Sequence, residues 1–370
     1  MRIAVVNLTF GGLSRGYRKY LQKILPLMAG DTRVTALNVF LPAGNDDLIL
    51  DIPMAVNWIP SFNTLRKVSW LKKEITAWQP DVVFIPTERS FKCGNIPVVT
   101  MVRNMEPLVV PFSGNPVREC VVNIVRFALA RHACSKADRT IAVSNYVRNY
   151  LLEKWAIEEH RIGLVCHGID SNPQPGGNNE RAVASIDASP FLFTAGSIRP
   201  ARGLEDIIRA LAILNTKRPM QLVIGGNVDP GMGFYFNKLK KMADTLGISE
   251  QIHWAGSLQN AEMAWCFSHC EAFVMTSRVE ACPNIALEAM SYGCINVASE
   301  NPPLPEFFAD SALFYPPKNF TILAKQIQAG ISMGHAERAA MSVAAKDIAT
   351  SFSWEICAKK TVDELQKALG

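Results

Sequence analysis

The chain has 370 residues, 49% of them hydrophobic, and 38 Lys and Arg against 33 Asp and Glu give it a net charge of +5. That length exceeds the roughly 250 to 300 residues at which one hydrophobic core stops growing, so two domains are expected. No run approaches the ~20 apolar residues of a membrane span, and no dense Lys/Arg run with interleaved aromatics points to nucleic acid.

The basic excess is uneven: residues 1–180 hold 21 Lys and Arg against 15 Asp and Glu, and residues 181–370 hold 17 against 18. This reads either as a solvated surface or as attraction to an anionic membrane or an acidic acceptor. The nine cysteines are scattered and odd in number, and Cys266 and Cys270 have no zinc-type partners nearby. They read as buried thiols.

In chain order, an apolar strand at 2–7 enters a loop with Gly11 and Gly12, followed by a helix over 14–27. The glycines arrive too soon for a signal-peptide apolar region, which predicts a cytoplasmic protein. Strand-like runs at 82–86, 96–102 and 139–144 then alternate with helical patterns at 117–132 and up to Trp155. Residues 161–170 follow, and the Pro-, Gly- and Asn-rich stretch at 171–180 is the best linker.

A second alternating block starts at 191–196, with a helix over 204–214, strands at 221–226 and 253–258, and apolar runs on either side of a helix near 284. Alternation of this type predicts parallel sheets. The predicted domains are 1–170 and 191–351, joined by a linker at 171–190, with a final helix over 352–369 that Trp354 anchors.

The stretch 277–293, SRVEACPNIALEAMSYG, carries the chemistry. Pro283 suits a first helical position, 284–292 forms helix well, and Gly293 stops it. Glu280 then lies in the preceding loop and Glu288 in the second turn. The amides of Asn284 and Ile285, at the positive end of the helix dipole, are placed for an anion. Strand-like runs at 271–277 and 294–299 enclose the motif, the context such a pattern needs.

This segment resembles the E-x7-E signature of the retaining family 4 glycosyltransferases, and the similarity runs along most of the chain. The resemblance implies the GT-B fold: two Rossmann-like doubly wound domains facing across a cleft, with the last helix crossing back to the first domain. It implies a nucleotide-diphosphate sugar such as a UDP- or GDP-sugar as co-substrate, with no metal and no other cofactor. The acceptor would be a growing polysaccharide or lipid-linked glycan, with the enzyme cytoplasmic and at most peripheral on the inner membrane face.

Carried over residue by residue, Glu280 would hold sugar hydroxyls and Glu288 the ribose. GSIRPARG at 196–203 resembles the segment that holds the donor diphosphate, with Gly196 opening it and Arg202 on the family's lysine position. Cations there offset the charge growing on the leaving group. The family's arginine directly after the glycine is replaced by Ser197, and Arg199 stands two residues later.

Gly11 and Gly12 match the paired glycines that admit backbone to the donor, and Arg15 follows as a possible acceptor contact. Where the family often has His-Asp, this chain has Arg103 and Asn104, so Asn104 takes the place of the sugar-contacting histidine. Basic helical segments at 65–73 and 117–136 read as packing helices or as membrane-surface elements.

Three rival readings stay open on these residues. A glycoside hydrolase also uses two carboxylates and would release free sugar without nucleotide. An epimerase would convert its donor alone. A non-catalytic sugar-nucleotide sensor would bind donor tightly without turnover, as the replaced arginine and histidine allow.

Overall fold

The computed structural model describes residues 1–8, 15–43, 55–60, 64–109, 114–170, 190–216 and 218–370. They form two compact units: Met1–Pro107 with Asn123–Gly168 and Phe352–Gly370, and Leu108–Val122 with Ile169–Ser351.

The first unit is built on seven parallel strands: β1 (Arg2–Val6), β2 (Ala36–Pro42), β3 (Ala55–Ile59), β4 (Val82–Ile85), β5 (Val98–Val102), β6 (Arg139–Ala142) and β7 (Ile162–Leu164). Their spatial order is β3-β2-β1-β4-β5-β6-β7. Every residue of β4 and β5 is buried, as expected of strands covered on both faces. Chain order reverses between β1 and β4, the signature of a doubly wound sheet.

The second unit repeats the plan with β8 (Phe191–Ala195), β9 (Gln221–Gly225), β10 (Ile252–Gly256), β11 (Ala272–Met275), β12 (Asn296–Ser299) and β13 (Ala312–Tyr315). The order β10-β9-β8-β11-β12-β13 is again parallel throughout, and it reverses between β8 and β11. A core of Leu192, Ile207, Leu211, Leu222, Val274 and Val297 fills one face of this sheet.

The helix Trp354–Lys367 belongs to the first unit and packs on the helix Arg15–Ala29. Trp354 is buried at its first turn, 6.2 Å from the ring of Tyr20, and stacks on His167 at 6.4 Å. A Cβ on Gly168 would lie 2.3 Å from the Trp354 nitrogen, so only glycine lets the chain pass there. Farther along, Glu364 accepts from Arg139 Nε at 3.0 Å, tying the helix to β6.

Some local expectations need correction. β2 and β3 escape the sequence reading because Asn38 and Asn57 interrupt their apolar runs; in the fold Asn57 donates to Asn38 at 2.5 Å across the paired strands. Of the cysteines read as buried thiols, Cys120, Cys166, Cys270 and Cys282 are only partly buried, and none of the nine forms a disulfide.

Candidate functional site

In open α/β sheets, loops at the carboxyl ends of the strands flanking the reversal enclose the ligand site. In the second unit these strands are β8 and β11, and the residues predicted from sequence emanate from both. β8 is followed by Gly196, whose φ of 139° is one that residues with a side chain rarely adopt. A Cβ there would lie 2.9 Å from Arg202 Nε, so the glycine leaves room for the guanidinium. The chain then makes a short 3-10 turn, Pro200–Arg202, and passes through left-handed Gly203 into the helix Leu204–Asn215.

β11 runs into the loop 276–283 and the helix Asn284–Tyr292, which Gly293 closes in a left-handed conformation. The two loops clasp each other. Thr276 Oγ1 donates to the Arg202 carbonyl at 2.8 Å, and the Arg278 N–H donates to the Ala201 carbonyl at 2.7 Å. The Arg202 guanidinium forms an ion pair with Glu280 and approaches Ser277 Oγ at 3.3 Å. Ser277 Oγ in turn donates to the Glu280 carboxylate at 2.8 Å. At and just beyond the end of the neighbouring β12, Ser299 Oγ and Asn301 Nδ2 donate to the Ser277 carbonyl at 2.8 and 3.0 Å.

Beneath this clasp lies a polar centre that sequence reasoning missed. Asp206 is almost wholly buried and receives both guanidinium nitrogens of Arg278, at 2.6 and 2.7 Å. Tyr315 Oη donates to it at 3.0 Å and the Lys318 N–H at 2.9 Å. Burial works against the charged guanidinium, yet the hydrogen bonds and charge of Asp206 hold Arg278 above its ordinary pKa. Burial and the Asp206 charge likewise push the Tyr315 phenol up. In sequence Asp206 reads as a first-turn acid answering the helix dipole, with no local mark of its burial.

A second feature, of which sequence reasoning named only Gly196, is a line of glycines at the strand ends. Gly196, Gly226 and Gly256 follow or end the adjacent strands β8, β9 and β10, all with positive φ. The Gly196 N–H donates to Gly225 O at 2.9 Å, and the Gly226 N–H to Gly256 O at 2.6 Å. A Cβ on Gly226 would fall 2.0 Å from the Gly196 carbonyl oxygen, so the edge is bare backbone.

The other sequence candidates fall as follows. Arg199 lies at the same loop but is held by Asp229 at 3.0 Å and by Glu119 at 3.8 Å. Glu288 is half-buried in the second turn of its helix; the phenol of Tyr292 is raised to about 12, first by its own burial and then by the Glu288 charge. Pro283 is the residue before the helix rather than its first member, and the Asn284 N–H donates to the Cys282 carbonyl at 3.0 Å. The expected opening of both amides to an anion is therefore corrected for Asn284, whose amide the tight turn engages; Ile285 lies in the first turn.

In the first unit Asn104 is exposed after β5, and its Oδ1 accepts from the Glu106 N–H at 3.1 Å. Glu88 accepts from the backbone N–H of Arg103 and Asn104, at 2.5 and 2.7 Å, and the Arg103 guanidinium lies 4.0 Å over the Tyr17 ring. Gly11 and Gly12 lie outside the described residues. Arg15 begins the helix Arg15–Ala29, with its side chain outside the description as well.

Chemically, the β8 and β11 loops supply a planar guanidinium beside a carboxylate and a hydroxyl over a backbone floor. A guanidinium carries five donors in a fixed fork suited to phosphate oxygens, and a carboxylate accepts hydroxyl protons.

Comparison with known proteins follows the same lines. The family model described as glycosyl transferases group 1 matches residues 178–347, and that described as glycosyltransferase family 4 matches residues 38–172. The chain is 26% identical over 245 residues to a D-inositol 3-phosphate glycosyltransferase of Streptomyces avermitilis, covering 63% of this chain and 52% of that protein. It is 23% identical to an MMP alpha-(1->4)-mannosyltransferase of Mycolicibacterium hassiacum, covering 65% and 57%. These matches span about half the length of the curated relatives. HepE of Anabaena, solved in complex with UDP-glucose, aligns over 99% of this chain and 100% of its own at a TM-score of 0.78 and 17% identity.

Proposed function

The chain belongs to the glycosyl transferases group 1 of glycosyltransferase family 4, with the GT-B fold, and from that premise we propose that it transfers a sugar from a nucleotide-diphosphate sugar to an acceptor hydroxyl with retention of configuration. The observation that carries the reading is the Arg202 and Glu280 pair, joined across β8 and β11 where the sheet order reverses. A cation for phosphate and an acceptor of sugar hydroxyls lie side by side, over glycine backbone that a phosphate can approach closely.

In this reading Arg202 binds diphosphate oxygens while Glu280 and Ser277 hold it in one plane. Glu280 accepts from sugar hydroxyls, Glu288 from the ribose, and the first-turn amide of Ile285 faces the phosphates. Arg199, held by Asp229, shapes the loop beside Arg202. As the bond from the anomeric carbon to the phosphate oxygen breaks, its electron pair stays on the phosphate and Arg202 stabilises the charge. The acceptor oxygen attacks from the same face, and its proton passes to that phosphate oxygen. Charge stabilisation by the guanidinium makes a metal unnecessary to this scheme.

The UDP-glucose bound to HepE supports a nucleotide-sugar donor, and the glycosyltransferase names of the curated relatives support a hydroxyl acceptor. We assign the acceptor to a polysaccharide or lipid-linked glycan of the cell envelope, reached from the cytoplasmic side.

The test is a thermal-shift panel of UDP, GDP, ADP and their common sugars, since a ligand bound only by the folded protein raises its melting temperature. One nucleotide class is expected to shift the transition, and turnover should follow with a hydroxyl acceptor, the product anomer matching the donor by NMR. No shift with any nucleotide sinks the reading. Conversion of donor without acceptor would point to an epimerase, and release of sugar from a glycan without nucleotide to a hydrolase.

A further inference from the structure

Two thiols meet at the amino ends of β11 and β12, the opposite end of these strands from the site. Cys270 closes the helix Asn260–His269 and precedes β11, and Cys294 follows Gly293 and precedes β12. The strands are paired, with Phe273 against Asn296, so the two cysteines enter them side by side. Both side chains turn to one acceptor: the Phe267 carbonyl receives the Cys294 thiol at 3.2 Å and the Cys270 thiol at 3.7 Å. The sulfurs therefore flank a single oxygen.

The frame around them is fixed. The Cys270 N–H donates to the Cys266 carbonyl at 3.0 Å and the Cys294 N–H to the Ala289 carbonyl at 3.2 Å, while the Phe267 ring packs on Phe193, Phe273 and Tyr292. Thiols that already face each other on fixed backbone can be bridged without the distortion that makes a disulfide labile. Cys294 is buried and Cys270 is partly exposed, so a small reagent reaches Cys270 first. The hydrogen bond with Cys294 and burial hold the Cys270 thiol above its ordinary pKa, which makes its thiolate scarce near neutral pH and its exchange slow. Between the two cysteines lie β11, Ser277, Arg278, Glu280 and the helix bearing Glu288, so a bond joining them closes a covalent ring around that whole segment.

We propose that Cys270 and Cys294 form a site of reversible oxidation, at which a small-molecule disulfide converts the two thiols into an intrachain disulfide that staples the ends of the segment 270–294. The Cys270 thiolate attacks one sulfur of the reagent, forming a mixed disulfide and expelling one reagent thiolate. The Cys294 sulfur gives its proton to that thiolate and attacks the Cys270 sulfur, expelling the second reagent thiolate, which takes up the proton Cys270 lost. Two protein thiols are oxidised by two electrons, and one reagent disulfide is reduced to two thiols. The proposal goes beyond the transferase reading and does not depend on it.

The reduced full chain is incubated in native buffer with oxidised glutathione, remaining thiols are blocked with N-ethylmaleimide, and the digest is read by peptide fragmentation. Two of the nine thiols are expected to be lost, with Cys270 linked to Cys294. C266S should form the same bond, C294S should stop at the glutathione adduct on Cys270, and C270S should not react at this site. The oxidised parent should melt about 5 °C or more above the reduced one, because the ring restricts the unfolded chain. Dithiothreitol should restore both thiols and the lower melting temperature.

Retention of all nine thiols, linkage of any other pair, or a disulfide between two copies overturns the proposal. So does a Cys270–Cys294 bond that leaves the melting temperature unchanged or lowers it, since the segment is then not stapled in its native geometry. The digest of the parent decides the pairing even where a serine variant fails to fold. The expected bond in a chain that no nucleotide stabilises would leave this proposal standing and remove the transferase reading alone.

Discussion

The guanidinium of Arg202 and the carboxylate of Glu280, 78 residues apart in the chain, form an ion pair that joins the loops after β8 and β11. Both side chains are mostly buried, and Ser277 bonds to each. A cation and a carboxylate held in this way lose little conformational freedom when a ligand arrives, which is the advantage of preorganisation.

R202A is expected to lower kcat by about 10²- to 10³-fold, the range seen when one preorganised charge-stabilising donor is removed. Its KM for donor should change less, since the charge it answers develops in the transition state. Steady-state kinetics with the donor found in the thermal-shift panel measures both, and an unchanged kcat would remove Arg202 from the diphosphate role.

E288A is expected to behave in the opposite sense, raising the donor KM about tenfold with a smaller change in kcat. A ribose hydroxyl is held alike in ground and transition states, so its loss is uniform binding. Equal losses in kcat and kcat/KM would place Glu288 nearer the reacting centre.

D206N should destabilise the protein by about 3 kcal/mol or more, because it leaves the Arg278 guanidinium without its charged partner in a buried setting. Urea denaturation at pH 7 reads the loss. R278K, which keeps the charge and loses the two-pronged contact, should fall between D206N and the parent, and a neutral effect of both would show that the buried centre does not hold the clasp.

G226A is expected to cost about 3 kcal/mol or more. Its φ of 133° is a strained region for alanine, and the added Cβ would fall 2.0 Å from the Gly196 oxygen. A melting temperature within a degree of the parent's would mean that the glycine edge yields easily.

Stability should depend on pH through Asp31. Its hydrogen bonds to Arg33, at 2.9 and 2.7 Å, lower the carboxyl pKa from 3.8 to about 2, and Arg33 also bonds Asp363 at 2.5 Å. Because the folded-state value lies below the ordinary one, the stabilisation is complete above about pH 4 and is lost as pH falls toward 2. Screening at this partly exposed site limits the effect to about 1 kcal/mol. The stability gap between the parent and D31N should therefore shrink between pH 5 and about pH 2; a gap that stays constant or widens on acidification refutes the assignment.

Much of the fold was legible locally. Fully buried strands such as β4, β5 and β11 announce themselves as short apolar runs, and Gly293 ends its helix because a left-handed residue is cheapest as glycine. β3 was not legible: Ala55, Asn57 and an exposed Trp58 make a weak local pattern, and pairing with β2 supplies what propensity lacks. Among the candidate site residues, Arg202, Glu280 and Gly196 were all named from the chain, whereas Ser277, Arg278, Asp206 and Tyr315 were not. Arg278 and Asp206 are 72 positions apart, and neither residue's neighbours reveal that the other will bury beside it.

The sequence by itself determined the alternation of strands and helices, the glycine turns at strand ends, and a loop-and-helix carrying two carboxylates. These are set by side-chain size, periodicity and dihedral preference over a few residues. Only the tertiary structure decided that Arg202 pairs with Glu280, that Asp206 collects Arg278 and Tyr315, and that Cys270 and Cys294 meet at one carbonyl oxygen. Strand order brings distant loops to one sheet edge, and the neighbours of a helix determine which of its faces is covered. Both are properties of the packed chain, to which local pattern contributes no direct signal.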